Sequence, residues 1–380
     1  MDKNLRLLEL ALTHRVVQAG PLCAQEYEMW NDRMLEASKG KNCLLLDREG
    51  FPSVMVRFPS IDANTLLANA PCGPHPAFVA GENAYGFLWL AKYPCCRVLF
   101  DGHAHFLSLR GVDSAHHIGY DQAMEACRRK GDGWHMMTNA EYACVALACR
   151  RNGFEPHGNT RYGTYAFAPE ESGVITDFYD HDALKPGRLL TGSGPASWSH
   201  DGTDAGMFEL NGNVWEWTAG LRIVNGEIQV LAQNDAALPD ADMSAASGWW
   251  RAIAADGEWL TPAANGSTPG AMRFFWDEMS GCWQIGLNGC PAEEKRQCSF
   301  QEIQAQGDVA PIFELLGLLP VGSERRQDCF FACGKGERLA ARGGSYIREE
   351  TSGIFALLLT DGRERVDSDR IGFRLGFLPQ

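Results

Sequence analysis

The chain has 380 residues, 45% of them hydrophobic and 22% charged, with a formal charge of −14. That mix is globular and supplies core enough for one large or two smaller domains. The acidic balance argues against nucleic acid or an anionic membrane as a partner, because both are held by clustered Lys and Arg.

Residues 1–50 are expected to form a small helical lead-in. Leu5, Leu8 and Leu12 fall on one helical face and Tyr27, Trp30 and Met34 on another, with Pro21 between them. Asp2, Glu9, His14 and Arg15 interrupt the first stretch, so it lacks the apolar run of a signal peptide, and no later stretch reads as a membrane span. Such short helices are marginal alone and must pack on the rest of the chain. After Gly50-Phe51-Pro52 the period changes. Val54, Val56 and Phe58 alternate with Met55 and Arg57, a strand pattern that opens a domain over 51–380. Strand-like runs follow at 86–93 and 97–100. Tyr120, Met124 and Cys127 then line one face of a helix over 120–129. The next helix opens at Thr138-Asn139-Ala140-Glu141, a capping box, and Tyr142, Val145, Ala146 and Cys149 continue it as a buried stripe.

From 152 to 345 turn signals dominate, among them Asn152-Gly153, Asn211-Gly212-Asn213 and Asn265-Gly266, and few regular elements are expected. So long an irregular stretch needs pinning, for which Trp198, Trp215, Trp217, Trp249, Trp250, Trp276 and Trp283 are available. Residues 353–359 read as one strand, and Ile371, Phe373, Leu375 and Phe377 alternate as the last. The class expected is α+β, with few helices, short strands and much irregular loop.

Thirteen cysteines are present. Cys95 and Cys96 are adjacent, Cys329-x3-Cys333 lacks a second pair, and zinc needs four ligands at compatible spacing. Without an export signal, reduced and mostly buried thiols are expected. No cofactor or bound metal is expected; the stretch 281–299, with Cys282, Cys290 and Cys298, is the one place to look for a metal.

The sharpest local motif is Glu209-Leu210-Asn211-Gly212-Asn213-Val214-Trp215-Glu216-Trp217. It reads as a turn needing unusual φ at Gly and Asn, then a strand with two tryptophans on one face and Glu216 on the other. Glu209 and Glu216 offer oxygens of the kind calcium takes. The favoured reading is that Glu216 satisfies buried amides or an arginine such as Arg342 or Arg374.

The C-terminal stretch sets two rigid signatures, Arg342-Gly343-Gly344-Ser345 and Ile371-Gly372-Phe373-Arg374, around a middle of mixed chemistry. The candidate binding residues lie there: Tyr346, Ile347, Arg348, Glu349, Thr351, Leu358, Thr360, Asp361, Arg365, Asp367, Ser368 and Asp369. The two mixed runs, 346–351 and 360–369, show neither helical nor strand period and no acid/base pair with a third partner, so no catalytic residue is assigned. Mixed aromatic, aliphatic and charged side chains suit recognition better than reaction. Leu358 points away from Leu357 and Leu359 on a strand; exposed beside Ile347 and Tyr346, it would anchor a partner. The alternative is ordinary surface loops closing a core.

The stretches 119–146 and 157–163, the turn Thr191-Gly192-Ser193-Gly194-Pro195, the GNVWEW motif (212–217), RGGS and IGFR occur in the order seen in sulfatase-modifying or formylglycine-generating-enzyme types of the C-type lectin fold. The resemblance spans about 52–380, outside an insertion at roughly 225–335. The formylglycine-generating enzymes use a cysteine pair in their C-terminal segment, and this chain has no cysteine between Arg342 and Gln380. Sulfoxide synthases of the same fold use a His-x3-His-x-Glu iron site on an added helical domain. His14 is the lone histidine of the lead-in here, and His103, His105, His116 and His117 read as loop histidines, solvated or satisfied in the core.

The chain more closely resembles the variable proteins of diversity-generating retroelements, found in phages, bacteria and archaea. These share RGGS, a mixed stretch, a Gly-x-Phe-Ala strand (Gly353-Ile354-Phe355-Ala356 in this sequence), a second mixed stretch after an arginine (Arg363), and IGFR. In that family adenine-directed mutagenesis rewrites selected codons, which maps to 342–374 of this chain. The resemblance implies a C-type lectin fold, a non-enzymatic ligand-binding role, and a varied protein or cell-surface ligand. With no signal peptide read in the sequence, a cytoplasmic or virion-associated place is expected, and a monomer is slightly favoured over an oligomer. The alternatives are an oxidase of the formylglycine-generating type with altered catalytic groups, and a structural subunit such as a phage tail tip.

Overall fold

The computed structural model describes residues 3–322 and 327–379. The chain is α+β, and strands outnumber helices.

Two helices, Lys3–Ala19 and Ala24–Ala37, form the lead-in. Leu5, Leu12, Val16 and Met34 are buried against Leu44, Val54 and Leu107. The lead-in is not helical to its end. Asn42–Leu46 is a strand that pairs antiparallel with Pro52–Pro59, from Asn42↔Val56 to Leu46↔Pro52. A run of that length is too short to display a period of its own, so pairing decides its state. Polar contacts tie the first helix to the body as well. Glu9 accepts from Lys92 Nζ at 2.6 Å, Tyr93 Oη at 2.8 Å and Arg110 Nη1 at 3.0 Å, and all four residues are buried.

Pro52–Pro59 continues a five-stranded sheet through Phe87–Ala91 and Leu375–Phe377 to Trp134–Met136, every pair antiparallel. The sheet therefore joins the start of the chain to its end. The expected helix at 120–129 forms as Tyr120–Arg128. The capped helix is Asn139–Arg151: Thr138 Oγ1 accepts from Glu141 N at 3.1 Å, and Glu141 Oε2 accepts from Thr138 N at 2.9 Å. Its apolar stripe is wider than expected, since every residue from Asn139 to Cys149 is buried. A helix enclosed on all sides belongs to the interior of a large fold. Thr138→Ala is expected to lower stability by ~1–2 kcal/mol, read as a fall in Tm, because it removes the cap and the 2.6 Å bond to Asn234 Oδ1.

Trp215–Val224 runs through the middle of a twelve-stranded sheet. It pairs antiparallel with Glu227–Leu231 and Glu337–Arg342 and, over Trp215 to Trp217, parallel with Ile371–Phe373. Most of this sheet comes from the stretch expected to be irregular. The insertion contributes Glu227–Leu231, Trp250–Ile253, Arg273–Asp277, Cys282–Gly286, Arg296–Ser299 and Cys329–Ala332. The turns are where Gly and Asn place them, but the strands between are four or five residues long, too short for alternation to register. Ile228, Val230, Phe274, Trp283, Ile285 and Phe330 from these strands join the largest core cluster. Residues 323–326 of the insertion lie outside the described residues.

The C-terminal strands also differ from expectation. The strand begins only at Leu357, as Leu357–Asp361, and Gly353 to Ala356 is loop. Phe355 N in that loop donates to Asp328 Oδ2 at 2.8 Å. The final alternating run splits in two. Ile371–Phe373 joins the large sheet and Leu375–Phe377 the small one, with Arg374 at the crossing. Among the described residues no helix is long and apolar enough to cross a membrane.

Candidate ligand-binding face

The two arginines of the C-terminal signatures are fully buried, and each organises a set of hydrogen bonds. Arg374 Nε and Nη2 donate to Glu216 Oε2 and Oε1 at 2.8 and 2.6 Å, Nη1 to Ala91 O at 3.0 Å, and Nη2 to Phe208 O at 2.7 Å. Glu216 is thus the partner of an arginine, and both of its oxygens are engaged. Burial works against the charge on Arg374, but the Glu216 carboxylate outweighs it and raises the pKa above the usual arginine value. Among the described residues Arg342 has no carboxylate within ion-pair distance. Its Nε and Nη2 share Asn139 Oδ1 at 3.0 and 2.7 Å, and Nη2 also donates to the carbonyls of Leu316 and Gly317 at 3.2 and 3.0 Å. Burial lowers its pKa to about 10.

The glycines between the arginines permit close approach. Gly344 sits at φ 84°, and a Cβ there would lie 1.9 Å from Ser352 Oγ. A Cβ on Gly372 would lie 2.3 Å from the Ala115 carbonyl. At the start of the tryptophan motif, Glu209 is buried at φ 56°. Its Oε1 accepts from Gly192 N at 2.8 Å, and its Oε2 has no hydrogen-bond partner among the described residues. Burial raises this carboxyl to about 7, opposed by the Gly192 amide and by Arg374 and Arg110.

Above this frame the twelve candidate residues divide. Four are buried. Leu358 is 4% exposed and packs in one cluster with Trp217, Ala341 and Phe373, because the Leu357–Asp361 strand is interior to the sheet, flanked by Cys329–Ala332 and Glu337–Arg342. It is core and no apolar anchor. Thr360 lies on the same strand, and Ser368 is held by its carbonyl, which accepts from His117 N at 2.7 Å. Tyr346 is buried too, with its hydroxyl donating to Asp369 Oδ2 at 2.9 Å. Burial and that bond push the phenol well above its usual pKa. Tyr346 therefore belongs to the frame.

The other eight face solvent in whole or in part. Ile347, Arg348, Glu349 and Thr351 are half-buried in a turn that runs into the short 3-10 helix Glu349–Thr351. Arg348 lies over the Trp215 ring at 5.8 Å and the Phe331 ring at 5.2 Å, covering the layer in which Leu358 sits, and Glu349 holds φ 53°. Asp361 pairs with Lys295 at 3.3 Å, Arg365 with Asp367 at 3.3 Å, and Asp369 with Arg370 at 3.2 Å. Pairs of this kind near the surface contribute little to stability.

Other parts of the chain border this face in ways that sequence reading did not anticipate. Tyr162 and Tyr179 stand 6.4 and 6.0 Å from the Tyr346 ring and 5.6 Å from each other. Beside the 363–369 loop, His103, His105, His116 and His117 line one cleft of about 830 Å³ together with Asp47, Glu49, Asp121 and Lys130. His103 and His105 sit on a strand, His103–Leu107, not in a loop. Their spacing carries no recognisable motif; the Cys96–Phe100 and His103–Leu107 hairpin carries His103 and His105, and the loop leading into Tyr120–Arg128 brings His116 and His117 to the same cleft. Among the described residues no group of three or more His, Cys, Asp or Glu is placed to hold a metal ion.

Of the cysteines, Cys43, Cys95, Cys96, Cys127, Cys144, Cys149, Cys282, Cys329 and Cys333 are buried, and none of the thirteen is in a disulfide. No family model matches the chain, and no curated protein is significantly similar to it.

Proposed function

We propose that this chain is a ligand-binding protein of the variable, diversity-generating-retroelement type, built on a C-type lectin scaffold. The observation that carries the reading is the division of labour within 342–374. Arg342, Gly343, Gly344, Tyr346, Gly372 and Arg374 are buried, with both arginines and Tyr346 hydrogen-bonded beneath the surface, while Ile347, Arg348, Glu349, Thr351, Asp361, Arg365, Asp367 and Asp369 are exposed in whole or in part and offer mixed chemistry. A backbone fixed from beneath lowers the ordering entropy lost on binding. It also lets the outer side chains change without loss of the fold. The partner that fits is a protein or cell-surface ligand large enough to span this turn and the adjoining loop. The Tyr162 and Tyr179 rings at its border supply aromatic contact area of the kind that concentrates binding energy.

Two measurements test this. Arg365→Ala and Asp367→Ala are each expected to change stability by no more than ~0.5 kcal/mol, since neither side chain supports buried structure. A loss of several kcal/mol from either would end the division between frame and face. The gene's surroundings are expected to hold a near-copy of the 342–374 coding segment, differing opposite template adenines, beside a reverse transcriptase gene. Oxygen consumption with thiol substrates, in the absence of such a copy, would overturn the reading in favour of an oxidase.

A further inference from the structure

The large sheet curls back on itself. Its strand order runs from Arg296–Ser299 through Cys329–Ala332, Leu357–Asp361, Glu337–Arg342, Trp215–Val224, Glu227–Leu231 and Arg273–Asp277 to Cys282–Gly286 and Gln304–Ala305. Arg296–Ser299, at one end of this order, returns to meet Cys282–Gly286 near the other. Trp283 N donates to Cys298 Sγ at 3.4 Å, Trp283 Nε1 donates to Arg296 O at 3.0 Å, and Cys282 Sγ approaches Ser299 O at 4.0 Å. Among the described residues these two strands share no backbone ladder, so bonds between side chains and backbone close the seam. The two thiols stand at the same level of the seam: the amide next to Cys282 bonds the sulfur of Cys298, and the sulfur of Cys282 faces the carbonyl next to Cys298.

We propose that Cys282 and Cys298 form a reversible disulfide that staples this seam, with a glutathione-type disulfide as the oxidant. The two sulfurs differ in access: Cys282 is 3% exposed, and Cys298 is half-buried at the open edge. Cys298 is therefore the attacking thiolate. It displaces one thiolate from the small disulfide and forms a mixed disulfide. Cys282, deprotonated, then attacks the Cys298 sulfur and expels the second thiolate. Two protein thiols are oxidised to one disulfide, the small disulfide is reduced to two thiols, and the two protein protons end on those leaving groups. The staple holds a strand that touches the proposed binding face, because Gln297 Oε1 accepts from Arg348 Nη1 at 3.1 Å. Cys290 lies in the same segment but is exposed and serves as a control.

The test treats the full chain with oxidised glutathione and maps its cysteines by mass spectrometry after digestion without reductant. A crosslinked Cys282–Cys298 peptide is expected, reversed by dithiothreitol. Tm should rise by about 4 °C, the chain-entropy effect of closing a loop of roughly 15 residues in a protein of this size. Cys290→Ser should leave the crosslink intact. Cys282→Ser should keep the fold and trap glutathione on Cys298, an outcome that separates failed chemistry from failed folding. The proposal is overturned if the folded protein shows only glutathione adducts, if Cys290 takes the bond, or if the crosslink appears only in denaturant. None of these outcomes depends on whether the face binds a ligand.

Discussion

Arg374→Ala is expected to cost ~3–5 kcal/mol of stability, enough to unfold a large fraction of the protein at moderate temperature. The loss arises mainly from what remains. Glu216, 2% exposed at its side chain, would keep a charge with no partner, and the carbonyls of Ala91 and Phe208 would lose their donor. The position also joins the two sheets, so both lose their common tie. Arg374→Lys should recover little, because an ammonium cannot reproduce the two-pronged contact with Glu216 and also reach the two carbonyls. Replacing both partners together, Arg374→Met with Glu216→Leu, should recover much of the loss, because no buried charge is left over. Thermal denaturation of the three variants against the parent protein checks this. If Arg374→Ala lost less than about 1 kcal/mol, the frame would not depend on this pair.

Glu209→Gln is expected to stabilise the protein at alkaline pH and to do almost nothing at acid pH. The Glu209 carboxyl titrates at about 7 in the folded chain against an ordinary value of 4.5. The folded state therefore holds this proton more tightly than the unfolded chain does. The stability linked to the proton is fully present below pH 4.5, falls as pH rises between 4.5 and 7, and is lost above 7. At about 1.4 kcal/mol per pH unit, the penalty reaches ~3 kcal/mol above neutral pH. Gln preserves the acceptor for Gly192 N and cannot ionise. Comparing Tm of the two proteins at pH 4 and pH 8 should show a gap only at the higher pH. A gap of equal size at both values would mean that the residue acts by shape alone.

The readable parts of the sequence are local. The capping box at Thr138 is spelled out by two residues three apart, and it forms as written. The helical faces of the lead-in and of Tyr120–Arg128 follow from apolar spacing. Glu216 as an arginine's partner was legible as one of a few options; the choice between Arg342 and Arg374 was not. Arg374 wins because Ile371–Phe373 runs parallel to Trp215–Trp217, with Gly372 opposite Glu216, and the chain then turns inward. The strands of the insertion escaped notice because each is short and its partner lies far away in sequence. Leu358 was misplaced for the same reason. A run of leucines has two faces, and only its neighbours on both sides of the sheet decide that neither face meets water.

Composition, turn residues and local spacing determined that this chain is α+β and where the helices Tyr120–Arg128 and Asn139–Arg151 start. Those features arise within one or two turns of backbone and need no distant partner. Tertiary structure alone decided that Tyr346, Leu358, Thr360 and Ser368 face inward, that four scattered histidines share a cleft, and that Cys282 meets Cys298 across a seam. Burial, pairing and meeting are properties of residues far apart in the chain. They are set by the register of strands, and no single short strand carries that register in its own residues.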